Sequence, residues 1–250
     1  MAEAVLETKQ LSRRFGALVA VDGVSLSFAP AEVHAVIGPN GAGKSTFLNL
    51  LSGELRATSG QIRLEGDDVT RAPPDRISRL GVARSYQTAN IFAELSCWEC
   101  VWLAAQSRAR TSMSFFQPAE KSAEVRARAE RALKACKLAE RLFTSARELS
   151  YGEQRQLEIG MIFATEPRVL LLDEPLAGLG HQEAISIIAL LREVRQDRTV
   201  VLVEHDMDAV FSIADRVSVL VGGRVLETGR PDQIRASPQV RDAYLGTEQA

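Results

Sequence analysis

Val33-His34-Ala35-Val36-Ile37-Gly38-Pro39-Asn40-Gly41-Ala42-Gly43-Lys44-Ser45-Thr46 is the stretch on which the fold of this 250-residue chain turns. Its first five residues are a mostly apolar run halted by a glycine, the pattern of a buried strand. The next eight fit G-x-x-x-x-G-K-[ST], and a helix is predicted to follow over Lys44–Leu51. In that setting the glycines let successive backbone N–H groups turn inward around anionic oxygens. The helix adds the positive end of its dipole. Asn40, Gly41, Ala42 and Gly43 are the candidate backbone cradle. Lys44 is placed to reach β- and γ-phosphates, Ser45 to ligate Mg2+ through its hydroxyl, and Thr46 to hydrogen-bond the α-phosphate. A functionless Gly-rich turn is the alternative; the spacing, the Lys-Ser pair and the flanking elements argue against it. The loop by itself says only that a nucleotide binds. No Asn-Lys-x-Asp guanine-reading motif occurs in the sequence, which weighs against a GTPase.

A second stretch completes the chemistry. Val169-Leu170-Leu171-Leu172-Asp173-Glu174 is an apolar run ending in two carboxylates. In an α/β sheet, ligands sit beyond the carboxyl ends of the strands. Asp173 is expected to hold Mg2+ through water, and Glu174 to polarise the attacking water as general base. Two exposed acids at a strand end are common in isolation; the phosphate loop upstream makes the catalytic reading the better one.

Around these two stretches, strands and helices alternate. Strands are predicted near residues 5–11, 24–28 and 61–64, and again at Thr199–Val203 and 217–221. Helices are predicted at 152–164, 184–194 and Met207–Ile213. Strand alternating with helix implies a parallel sheet covered on both faces. Between residues 89 and 149 the character changes to helix alone, at 95–106 and 122–138, which reads as an inserted helical subdomain. Its arginines, Arg126, Arg128 and Arg131, alternate with Glu124 and Glu130, so a solvated salt-paired face is preferred to a nucleic-acid patch.

Composition sets outer limits. The chain is 46% hydrophobic and 25% charged, ordinary for a globular protein. Thirty basic and 32 acidic residues leave a formal charge of -2, which supplies no global field for nucleic acid. The first ten residues lack the basic-then-apolar pattern of a signal peptide. No apolar run approaches the ~20 residues that span a bilayer. The three cysteines, Cys97, Cys100 and Cys136, fit a reducing compartment. The Cys97–Cys100 pair lacks a companion pair, so it reads as two small apolar residues at a helix start rather than a zinc or redox site.

Leu149-Ser150-Tyr151-Gly152-Glu153-Gln154, just upstream of the acid pair, resembles the Leu-Ser-Gly-Gly-Gln signature of ABC ATPases, with Tyr151 and Glu153 as departures. The resemblance implies that Ser150 and Gly152 meet the γ-phosphate of a nucleotide held by the opposite subunit; a Ser hydroxyl and a Gly N–H at a helix start suit an anion. It also implies that Phe15 stacks on adenine, though a core Phe is an open alternative. Gln87 resembles the loop glutamine that senses Mg2+ and couples to the membrane partner. His205, in Val203-Glu204-His205-Asp206, resembles the switch histidine at the γ-phosphate. Gly180 stands where the family usually has an Asp. The implied fold is α/β: a P-loop NTPase (RecA-like) core with a mostly parallel sheet, an N-terminal antiparallel β subdomain and an inserted helical subdomain. One ABC ATPase domain over 1–250 is expected, with core and β subdomain at about 1–88 and 156–250 and the helical part at about 89–155.

Residues 149–160, 203–214 and Ala243-Tyr244-Leu245-Gly246, with Ile91, Phe92 and Leu95, resemble the ATP-binding subunits of branched-chain (hydrophobic) amino acid importers, with urea importers close behind. The resemblance implies ATP and Mg2+ as ligands and two transmembrane permease subunits as partners. It also implies a second ATPase subunit, identical or related, and a periplasmic binding protein. The expected place is the cytoplasmic face of the inner membrane. The rival class is a non-transport ABC ATPase acting on ribosomes, DNA or a cofactor-assembly machine. The single ATPase unit and the absence of a heptad insertion or zinc-spaced cysteines disfavour it. Nothing in the sequence names the cargo.

Overall fold

The structure is a computed structural model that describes residues 4–86, 90–108, 123–195 and 197–245. It divides into two compact units: Met1–Val82, Arg168–Glu174 and Val194–Ala250 form the first, and Ala83–Pro167 with Pro175–Glu193 the second.

The first unit contains one sheet and all of a second except Ala83 and Arg84 of its last strand. The antiparallel one has the order β2-β1-β5-β6, with β3 also paired to β1; the strands are β1 (Leu6–Phe15), β2 (Leu18–Val24), β3 (Ser27–Phe28), β5 (Ser59–Leu64) and β6 (Asp67–Asp68). The strand predicted over 24–28 is two strands here. β1 pairs with β3 through Leu6 and Glu7 and with β2 through residues from Leu11 onward. At the changeover Gln10 adopts a φ of 49°, and the Thr8 hydroxyl accepts from Leu26 N–H. One long strand thus serves two partners by bending between them.

The second sheet runs β11-β10-β4-β9-β8-β7, built from β4 (Val33–Ile37), β7 (Val82–Arg84), β8 (Val169–Asp173), β9 (Thr199–Val203), β10 (Arg216–Val221) and β11 (Arg224–Gly229). The pairs β10/β4, β4/β9 and β8/β9 are parallel. All five residues of β4, β8 and β9 are buried, which explains their unbroken apolar runs. Antiparallel β11 escapes a period-based reading because it is a half-exposed edge strand. A cluster around Phe28, Phe47, Leu48 and Ile62 forms the main core. It is backed by α1 (Lys44–Leu51), and α2 (Pro74–Arg79) contributes Ile77. A smaller cluster gathers Ala35, Ile37 and Val219 with residues of α7 (Met207–Ile213), α8 (Pro231–Ala236) and α9 (Pro238–Leu245).

The second unit is helical: α3 (Cys97–Gln106), α4 (Ala123–Ala135), α5 (Tyr151–Ala164) and most of α6 (His181–Val194). α3 and α5 each begin with a reciprocal capping box, Ser96 with Glu99 and Ser150 with Glu153, so both helix starts are written in the sequence. Cys97 and Cys100 lie buried in the first turns of α3, and burial pushes the Cys97 thiol up to about 11. Among the described residues no helix is long and apolar enough to cross a membrane.

Candidate functional site

The Gly-rich loop leaves the buried end of β4 and enters α1 at Lys44. Gly43 is the helix N-cap at φ 98°, and a Cβ there would lie 2.2 Å from the Ala20 carbonyl. Gly41 has φ 77° with open space around it; its need for glycine is conformational, that of Gly43 conformational and steric. α1 has neither a side-chain cap nor an acid in its first turn, which leaves its positive end to an anion. Lys44 is folded back over the loop, its Nζ donating to the carbonyls of Gly38 at 2.7 Å and Pro39 at 3.0 Å. Burial lowers its pKa, opposed by the negative fields of Glu174 and Asp173. Ser45 is exposed, Thr46 half-buried and Asn40 exposed at the rim; Ala42 is buried.

The register of the parallel sheet carries the acids to the same end. Val36 is opposite Val203, and Val203 opposite Asp173, so Gly38, Asp173 and Glu204 all lie at the carboxyl edge of the strands. Asp173 is 2% exposed. Glu174 adopts a left-handed φ of 49°, and its N–H donates to the Val203 carbonyl at 2.9 Å. A non-glycine residue in that region is strained, and strain of this kind gathers at functional sites. His205 Nε2 lies 2.8 Å from Glu174 Oε1, and the His205 N–H donates to the buried Glu204 carboxylate at 3.0 Å. One unit therefore holds Lys44, Asp173, Glu174 and His205 around the mouth of the Gly-rich loop. The hydroxyl of Ser45 and the carboxylate of Asp173 are hard oxygen donors, a set that suits a small divalent cation.

Phe15 is 42% exposed at the end of β1, with the Arg13 guanidinium 4.4 Å from its ring centroid. It is not a core residue. Gln87 lies outside the described residues.

In the second unit Ser150 is the N-cap of α5, its Oγ accepting from Glu153 N–H at 3.2 Å. The Glu183 carboxylate packs on the same helix start. It lies 3.5 Å from Ser150 Oγ and accepts from Gly180 N–H at 3.0 Å. A Cβ added to Gly152 would fall 2.4 Å from its carboxyl carbon. The Tyr151 ring lies against Gly178, 3.4 Å from where a Cβ on that glycine would stand. Glu183, and the buried Arg155 and Glu158 of α5, were not singled out from sequence. A signal for the latter exists: two charges three residues apart interrupt the apolar side of a helix.

The family model described as ABC transporter matches residues 21–177, and the one described as branched-chain amino acid ATP-binding cassette transporter matches residues 224–250. The chain is 41% identical to the high-affinity branched-chain amino acid transport ATP-binding protein BraF of Pseudomonas aeruginosa, over 98% of this chain and 99% of that one. It is 38% identical to the corresponding protein LivG of Escherichia coli K12, over the same shares. A solved ATP-binding cassette of an ABC transporter in its ADP conformation superposes with a TM-score of 0.87 at 29% identity, covering 98% of this chain and 100% of that one. A dimeric bacterial ABC transporter cassette superposes at 0.77 with 25% identity, covering 90% and 98%.

Proposed function

The chain belongs to the ABC transporter family, and from that premise we propose that it is the ATP-hydrolysing subunit of an importer for branched-chain amino acids. The observation that carries the cargo class is the near-full-length identity to BraF and LivG, both named for branched-chain amino acid transport. The C-terminal family match over residues 224–250 supports the same branch.

In this reading ATP lies with its phosphates on the N–H groups of residues 40–46 and its adenine against the exposed face of Phe15. Lys44 turns from the Gly38 and Pro39 carbonyls onto the β- and γ-phosphates. Ser45 and Asp173, with Gln87, would hold Mg2+, which would supply positive charge against the phosphates. Glu174 accepts a proton from water as its oxygen attacks the γ-phosphorus, the γ-phosphoryl–ADP bond breaks, and ADP and phosphate leave. His205 contacts the γ-phosphate and, at 2.8 Å, orients the base. Ser150 and Gly152 complete the site of a second ATPase subunit, identical or related.

The ATPase is one domain, with its helical part at about residues 89–155. It docks on two transmembrane permeases at the cytoplasmic face of the inner membrane, and a periplasmic binding protein delivers the cargo. Purification of the tagged chain from gently solubilised host membranes with ATP tests this. Recovery of two polytopic permeases, and loss of leucine uptake in a Lys44→Ala strain, is the expected result. Recovery with ribosomes or DNA instead would sink the transport reading, and urea uptake in place of leucine would move the cargo.

A further inference from the structure

α5 begins at Ser150, and its buried side carries two charges where packing alone calls for none. Arg155 is 2% exposed and Glu158 3%. They pair with each other at 2.5 Å. A buried ion pair is a poor source of stability, since desolvation offsets most of the Coulomb gain. What this pair does is hold backbone. Arg155 Nη1 donates to the Tyr86 carbonyl at 2.5 Å, and its Nε donates to the Pro175 carbonyl at 3.4 Å. Glu158 Oε1 accepts from the Tyr86 N–H at 3.3 Å, and the carboxylate also accepts from the backbone at Asn90. None of these three backbone points lies in a helix or strand, so each needs partners from outside the regular ladders. Pro175 is bonded directly to Glu174, whose own N–H is fixed to Val203 and whose φ of 49° is strained.

We propose that Arg155 and Glu158 are positioning residues for hydrolysis: their ion pair ties the chain at Tyr86, Asn90 and Pro175 to the helix that starts at Ser150, and so sets the aim of the Glu174 carboxylate. The inference rests on Glu174 being the general base. The pair acts on backbone, at Tyr86 and Pro175, and through it on the base. Its removal misplaces the base without altering the cradle of residues 40–46. A misplacement of about 1 Å is enough to cost up to roughly 100-fold in rate.

The test separates positioning from mere packing. Replacing both partners by methionine, Arg155→Met with Glu158→Met, removes the charges together and keeps the volume, a change that buried pairs tolerate. The full-length chain is assayed for ATP turnover, ATP binding and thermal midpoint, with Glu158→Gln as a second, isosteric variant. The expected result is a midpoint near that of the unmodified chain, an ATP Kd within about twofold, and a kcat lower by about 10- to 100-fold. Should the double variant fail to fold, Glu158→Gln supplies the same readout. A folded variant with unchanged kcat overturns the proposal, and so does parallel loss of binding and turnover, which marks a structural pair. Absence of hydrolysis by the unmodified chain would instead strike the ATPase reading itself.

Discussion

Lys44 is held by two carbonyls of the loop it serves, and its burial lowers its pKa from 10.5. Phosphate oxygens beside the ammonium push that pKa back up. The nucleotide-bound chain therefore carries more protons than the free chain between the lowered and the restored value. Affinity for ATP is expected to fall as pH rises through that window, with proton uptake on binding. Calorimetry of ATP binding over a pH series running up to 10.5, in buffers of different ionisation enthalpy, reads this directly; proton uptake that rises nowhere in the series would refute it. Gly43 sets a second limit at this scale. Gly43→Ala drives a Cβ to 2.2 Å from the Ala20 carbonyl at φ 98°. Strain of about 1–3 kcal/mol follows, so ATP affinity should drop roughly tenfold or more, measured by equilibrium titration. Both residues were legible in sequence because the motif fixes type and spacing together. The strained φ of Glu174 was not, because it comes from β8 and β9 pairing Asp173 with Val203, a contact 30 residues distant in the chain.

At the scale of elements, helix starts were the easiest features to read, and edges the hardest. Ser150 and Ser96 announce α5 and α3 by their capping boxes, whereas β11 and α8 lack an unbroken apolar run and follow from tertiary packing. The alternating charges of the inserted segment form pairs one helical turn apart, Arg126 with Glu130 at 2.9 Å on the surface and the half-buried Arg128 with Glu124 at 2.6 Å. Solvent screening makes such pairs weak: Arg126→Ala is expected to change unfolding stability by less than about 0.5 kcal/mol, and a larger loss in denaturant titration would show that the pair is part of a stronger network. The start of α5 is a more demanding surface. A Cβ on Gly152 would push the Glu183 carboxylate off this helix start. Gly152→Ala should therefore leave ATP binding by the single chain intact while lowering turnover by at least about tenfold, since the second anion contact at this helix start is lost. Equal turnover in a steady-state assay would free Gly152 from that role.

On the scale of the whole molecule, the proposed mechanism divides the chain into two half-sites. Lys44, Asp173, Glu174 and His205 sit in one compact unit, while the capped start of α5, with Ser150 and Gly152, belongs to the other. Each half is incomplete for hydrolysis in the proposed mechanism, so ATP acts as a bond between two subunits whose hydrolysis breaks that bond. Removing the base while keeping its shape should then trap the bonded state. Glu174→Gln retains an oxygen 2.8 Å from His205 Nε2 but accepts no proton from water. The variant is expected to run as a dimer in size-exclusion chromatography with Mg-ATP and as a monomer with ADP, with kcat reduced by about two to four orders of magnitude. If the pairing subunit in the cell is a related chain, the variant alone remains monomeric and dimerises only when that chain is added. Rapid turnover by Glu174→Gln would remove this residue from the base role, and a dimer that persists equally in ADP would remove the γ-phosphate from the interface.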